Sequence, residues 1–269
     1  MIQEIEAKLS DLAPMDTKML AQVHEWNEAW KPHHYEVFIT ADGSPTLQWN
    51  KETIEGGESM HHRGGAYNET QLIYGDPLRD CLDYGGSAVF SLGLGLGYNE
   101  FLMAAECLIW NMAPNMIRLV SYEADPVLTQ AMLDCVYGKH TALSDIYFSV
   151  LELYEKKYRM PPGLLQMWLK EAHEMKKWEI RGALGAKSKV GERFHCILYD
   201  AFSAKTSPEL WSEEFLTRFF AENTAPQSWV STYACTGNLK RALKLNHFEV
   251  TLREGFHGKR NSTLGTRGL

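Results

Sequence analysis

No apolar run in the 269 residues approaches the ~20 needed to cross a membrane as a helix. Cysteine is sparse: Cys81, Cys107, Cys135, Cys196 and Cys235 are scattered, odd in number and contain no C-x-x-C pair. That excludes a disulfide framework or a thiolate zinc site as the organising feature and fits reduced, mostly buried thiols in a cytoplasm. His33-His34 and His61-His62 come without acids or cysteines at ligand spacing, so no metal is expected. Gly182-Ala-Leu-Gly-Ala-Lys-Ser188 lacks the G-K-[ST] of a phosphate loop, and no G-x-S-x-G elbow occurs. Repeats and low-complexity linkers are also missing. The opening Met-Ile-Gln-Glu-Ile-Glu is acidic and has no signal-peptide layout.

Basic residues are scarce in the first half. Residues 1–150 carry 8 Lys/Arg against 21 Asp/Glu, whereas 151–269 carry 19 against 13, within a net charge of −7. The basic excess gathers at Lys240, Arg241, Lys244, Arg253, Lys259, Arg260 and Arg267. Such a run is either a solvated face or a local patch for nucleic acid. Hydrophobic content of 45% and charged content of 23% fit an ordinary globular core, one domain with additions.

Helical spacing over 2–12 and 15–29, then apolar 35–39 and 46–49 around Asp42-Gly43, predicts an N-terminal helical and hairpin extension over residues 1–50. From residue 51 to 269 a βα alternation follows. Strands are expected at 88–92, 117–123, 195–199 and 228–234. Helices are expected near 98–111, 126–137, 208–221 and 238–245. A closing antiparallel pair falls at 248–253 and 262–266. The segment 141–193 is the least readable, and its pattern predicts a strand near 164–168, a helix near 171–179 and a loop over 181–191. The whole is an α/β, Rossmann-like fold with a mostly parallel, doubly wound sheet.

Gly93-Leu-Gly-Leu-Gly-Tyr-Asn-Glu-Phe101 is the most informative segment, because it follows a strand and opens a helix. Side-chain-free backbone there lets a nucleotide-like ligand lie close, and the helix N-terminus offers free N–H groups. The dinucleotide spacing G-x-G-x-x-G fails, since Tyr98 and Glu100 stand where its third glycine would be. The pattern Gly93, Gly95, Gly97 is the form typical of S-adenosylmethionine (SAM) sites, unless the turn is purely structural. Glu123 ends the second strand, where a carboxylate accepts ribose hydroxyls or merely caps the strand in solvent. Asp200 ends the strand His195–Tyr199, suited to proton transfer with an amine substrate, or else to capping a helix.

Four blocks then resemble the methyltransferase domain of the bacterial tRNA-modifying MnmC family. They are Glu58–Thr70 with Ile73-Tyr74; Leu92–Asn99; Tyr199–Ala204 with Ser207–Trp211; and Ser231–Leu243 with Gly255–Arg260. The resemblance implies a class I, SAM-dependent N-methyltransferase acting on the aminomethyl group of a modified wobble uridine in tRNA. Asp200 would be catalytic. Gly93, Gly95, Gly97, Asn99 and Glu123 would hold the cofactor, and Lys240, Arg241, Lys259 and Arg260 the tRNA. The family's Gly-Asp before its third helix is replaced by Lys170-Glu171, which leaves Glu171 as the adenine-side acid. No counterpart of the family's fused flavin oxidase occurs in these residues, so a separate oxidase is expected to supply the amine. A small-molecule or protein amine, or SAM-binding regulation without catalysis, remain the alternatives.

Overall fold

The computed structural model describes residues 17–50, 57–258 and 261–269. The helix expected over 2–12 lies outside these residues. Helix α1 (Thr17–Trp30) buries Trp26 and Trp30 and leads into the hairpin β1 (Tyr35–Ile39) and β2 (Pro45–Trp49). The short β3 (Glu58–Ser59) adds to β2, so this small sheet reaches past the division expected at residue 50. Helix α2 (Ala66–Thr70) runs through a π turn (Gln71–Gly75) into α3 (Asp76–Asp83).

The main sheet begins at β4 (Ala88–Leu92), followed by α4 (Tyr98–Ile109), β5 (Arg118–Tyr122) and α5 (Pro126–Val136). Asp125 caps α5 by accepting Val127 N–H at 2.8 Å, and Pro126 occupies its first turn, where a missing N–H costs nothing. The remaining elements are α6 (Asp145–Lys157), α7 (Leu164–Glu174), β6 (Trp178–Arg181), β7 (Phe194–Tyr199), α8 (Glu213–Asn223), β8 (Thr224–Thr232), α9 (Gly237–Leu245), β9 (Glu249–Arg253) and β10 (Ser262–Arg267). Strand order is β6-β5-β4-β7-β8-β10-β9. The first five are parallel, and β10 and β9 are antiparallel. Chain order reverses between β4 and β7, which places the ligand crevice beyond the carboxyl ends of those strands.

Alternation along the strands divides the core. Val89, Leu119, Cys196 and Leu198 face α4 to α7, while Phe90, Val120, Ile197 and Tyr199 face α8 and α9.

Two expectations are corrected in the middle segment. Residues 164–168 are helix, not strand, because Leu165, Trp168, Leu169 and Ala172 recur at helical spacing and are all buried. The strand comes later, where Leu119 to Tyr122 pair with Trp178 to Arg181. The helix expected at 208–221 splits into a 3-10 turn, Pro208–Trp211, and α8, with Ser212 capping the latter through Phe215 N–H at 3.2 Å.

Glu100 of α4 is fully buried against the central sheet. Ser121 Oγ donates to its Oε1 at 2.7 Å, and Oε2 has no partner. Burial pushes its pKa up to about 7 from 4.5, against the Ser121 hydrogen bond. The folded form therefore holds its proton more tightly than the unfolded chain. The stabilisation is complete below the unfolded value and is lost as pH rises through about 7. The loss is on the order of 3 kcal/mol. Glu100→Gln is expected to flatten this dependence, raising the urea midpoint at pH 8.5 and hardly moving it at pH 4. An unchanged pH slope would sink the assignment.

Candidate functional site

The loops after β4, β5, β7 and β8 enclose a cavity of about 530 Å³, roofed by the small sheet and α2. At one end lies the glycine turn. Gly93 has φ +86°, donates to Tyr122 O at 3.0 Å, and would place a Cβ 2.4 Å from the Asp200 carbonyl oxygen. Only a residue without a side chain lets β4 and β7 release their loops so close together. Gly95 has φ +49°, and its N–H donates to Glu123 Oε2 at 3.0 Å. Tyr147 OH donates to the Gly95 carbonyl at 2.8 Å.

Glu123 accepts Asp125 N–H on its other oxygen at 2.9 Å, so it ties two loops together and is not a solvent-facing strand end. Burial raises its pKa while these N–H groups oppose the shift. Beside it, Tyr35 of the small sheet donates to Asp125 Oδ2 at 2.9 Å. Leu184, in the loop after β6, lines the same end. The arrangement offers a flat backbone, a carboxylate with lone pairs to spare and apolar walls. That suits an adenosine.

Asp200 stands at the junction. Its N–H donates to Leu92 O at 3.0 Å, and its Oδ2 accepts Asn99 Nδ2 at 3.4 Å. It caps no helix, since Ser212 does that for α8. Asp200 also raises the pKa of Tyr74 and of Tyr233, after burial in both cases. At the far end Glu58 accepts Ser203 N–H at 2.8 Å and the hydroxyls of Ser203 and Thr206. Glu69 accepts His62 N–H at 2.6 Å. Trp49 stacks on Phe202 with ring centroids 5.6 Å apart. Three carboxylates and a stacked aromatic pair in one cavity suit a planar ligand carrying a cation.

The structure thus brings Gly93, Gly95, Asn99, Glu123 and Asp200 together around the cavity. Gly97 stands behind the turn with φ +76°, where a Cβ would lie 3.0 Å from Met132 Sδ. It closes α4 onto α5 and does not line the cavity. Glu171 is exposed on α7 and lies outside the lining, because residues 164–168, expected to be a strand ending just before it, belong to the same helix. Lys240 is half-buried on α9, and Arg241 is exposed and paired with Glu213 at 2.7 Å. Lys259 and Arg260 lie outside the described residues. Sequence reasoning missed Tyr35, Trp49, Glu58, Glu69, Tyr74 and Tyr233 as cavity residues; Glu58, Glu69, Tyr74 and Tyr233 fall inside the recognised blocks. Among the described residues, no His/Cys/Asp/Glu cluster could hold a metal, and no helix is long and apolar enough to cross a membrane.

Residues 150–268 match the family described as S-adenosyl-L-methionine-dependent methyltransferase. The tRNA 5-methylaminomethyl-2-thiouridine biosynthesis bifunctional protein MnmC of Aromatoleum aromaticum is 25% identical over 241 residues, covering 84% of this chain and 34% of that protein. Its namesake in Ectopseudomonas mendocina is 27% identical over 217 residues, covering 78% and 32%. The chain therefore spans about a third of the length of these curated relatives. The crystal structure of MNMC2 from Aquifex aeolicus superposes with a TM-score of 0.58 at 20% identity, covering 98% of this chain and 82% of that one. That match shows the fold, a mixed α/β arrangement around a mostly parallel sheet.

Proposed function

We propose that this chain, an S-adenosyl-L-methionine-dependent methyltransferase related to MnmC, methylates the aminomethyl nitrogen of a modified wobble uridine in tRNA. The observation that carries the reading is the position of Asp200. It sits between a glycine turn suited to the cofactor and a compartment with Glu58, Glu69, Trp49 and Phe202. In this reading Gly93, Gly95 and Asn99 lie along SAM, Glu123 accepts its ribose hydroxyls, and Leu184 lies against its adenine. SAM supplies an electrophilic methyl group on a sulfonium. An ammonium has no lone pair with which to attack it, so the amine must shed a proton. Asp200 orients the nitrogen and accepts that proton, while Trp49 and Phe202 hold the base. A separate oxidase supplies the amine, and the enzyme works in the cytoplasm, where tRNA is.

Bulk tRNA lacking the final methyl group, incubated with the protein and SAM, is expected to gain one methyl on the wobble nucleoside by mass spectrometry. Methylation of free aminomethyl nucleosides but not of tRNA would move the assignment to a small-molecule amine.

The basic C-terminal stretch is assigned to phosphate contacts. Arg241 already faces Glu213, so Lys240, Lys259 and Arg260 are expected to contribute more. Affinity for an anticodon arm should fall steeply with salt, and alanine at Lys259 and Arg260 should flatten the log–log slope by roughly 0.7–0.9 per lost contact. SAM affinity should not change. A flat wild-type curve would remove nucleic acid as the partner.

A further inference from the structure

Pro77 lies inside the helical run from Ala66 to Asp83. It has no N–H to give the carbonyl of Ile73, four residues earlier, and its ring crowds that oxygen. At this point the helix widens into the π turn Gln71–Gly75. The Ile73 carbonyl instead accepts Ser231 Oγ of β8 and the Arg253 guanidinium of β9, both at 2.6 Å. Arg253 also donates to Ser231 Oγ at 2.9 Å, so two strands hold the turn in place. Inserted π turns recur at functional sites, because they re-aim one side chain without ending the helix. Here the re-aimed residue is Tyr74.

Tyr74 is 2% exposed and lines the cavity with Asp200. Its hydroxyl has no hydrogen-bond partner of normal geometry, and after burial the largest influence on it is the Asp200 carboxylate. Burial raises its pKa well above the usual value and the Asp200 carboxylate raises it further, so it stays a neutral donor. The other groups around Asp200 are occupied differently. Tyr233 OH donates to Ala201 O at 2.9 Å, Glu58 is held by Ser203 and Thr206, and Glu69 receives His62 N–H. Glu58 and Glu69, as carboxylates, only accept hydrogen bonds, whereas the Tyr74 hydroxyl can donate one to Asp200.

We propose that Tyr74 is a positioning residue for methyl transfer. Its hydroxyl and the Asn99 amide hold the Asp200 carboxylate, leaving one face of it for the substrate amine. The inference rests on the reading of Asp200 as the amine-binding group.

The test uses two cofactor analogues and no tRNA. Sinefungin carries an ammonium where SAM carries its transferable methyl group, and S-adenosylhomocysteine carries neither. Calorimetric affinities of both are measured against pH. Wild type is expected to prefer sinefungin and to lose that preference on acidification, as Asp200 takes up a proton. Tyr74→Phe keeps the ring and removes the donor, so the midpoint of this loss should rise by about one to two pH units. S-adenosylhomocysteine binding, unchanged, reports that the site is intact. A Tyr74→Phe midpoint equal to that of wild type overturns the proposal. Asp200→Asn is expected to abolish the preference at every pH; if it does not, the reading of Asp200 itself fails and Tyr74 falls with it.

Discussion

Asp200→Asn is expected to slow methyl transfer by roughly 10²–10⁴, the range for loss of a positioned proton acceptor, and to leave SAM affinity within about twofold. The substitution keeps the shape, and the backbone N–H that anchors residue 200 to the Leu92 carbonyl survives it. What disappears is the charge that attracts an ammonium and the lone pair that accepts its proton. Glu58 and Glu69 remain in the cavity, so substrate binding should suffer less than turnover. Solvent then has to deprotonate the amine, and the residual rate should climb with pH over a range where the wild-type rate is level. Single-turnover kinetics with SAM calorimetry separates the two effects. Turnover within a few fold of wild type would make Asp200 structural and move the chemistry to another carboxylate.

The parallel strands were legible because burial on both faces gives near-continuous apolar runs such as Ala88–Leu92 and Phe194–Tyr199, each ending at a residue that changes the chemistry. Gly93, Gly95 and Asp200 were legible as cavity residues for the same reason, since a strand's end opens on the cavity. Helices α6 and α7 were not. They bury Tyr147, Tyr154 and Trp168, residue types that also favour strands, and a short stretch such as Leu164 to Met167 fits either period. That ambiguity misplaced Glu171 as well.

The far half of the cavity was illegible for a different reason. Its contacts join segments remote in sequence. Glu58 meets Ser203 across 145 residues, and Trp49 reaches Phe202 from a hairpin whose pattern says only that it is a hairpin. Tyr74 is an intermediate case. Pro77 is a residue type that distorts any helix containing it, but nothing in the chain before folding says that the distortion faces Asp200.

Gly95→Val is expected to weaken SAM binding by at least about 100-fold, near 3 kcal/mol, while the protein stays folded. Space is not the main obstacle. A Cβ at residue 95 would meet only Met60 Sδ at 3.2 Å, the end of a flexible side chain. The obstacle is the backbone. At φ +49° a β-branched residue is a genuine outlier, and relief requires rotating the peptide. Rotation would pull the residue 95 N–H off Glu123 Oε2 and its carbonyl off Tyr147 OH, so the carboxylate assigned to the ribose loses the contact that aims it. The fold should tolerate this, because residue 95 itself lines the cavity while Leu94 and Leu96 on either side keep the turn anchored in the core. Gly97→Val is the contrasting variant: its side chain would push into Met132, so it should lower the melting temperature in the absence of any ligand. Calorimetric titration with SAM, alongside circular dichroism of both variants, tells the two apart. Undiminished affinity in a folded Gly95→Val protein would take the glycine turn out of the cofactor site.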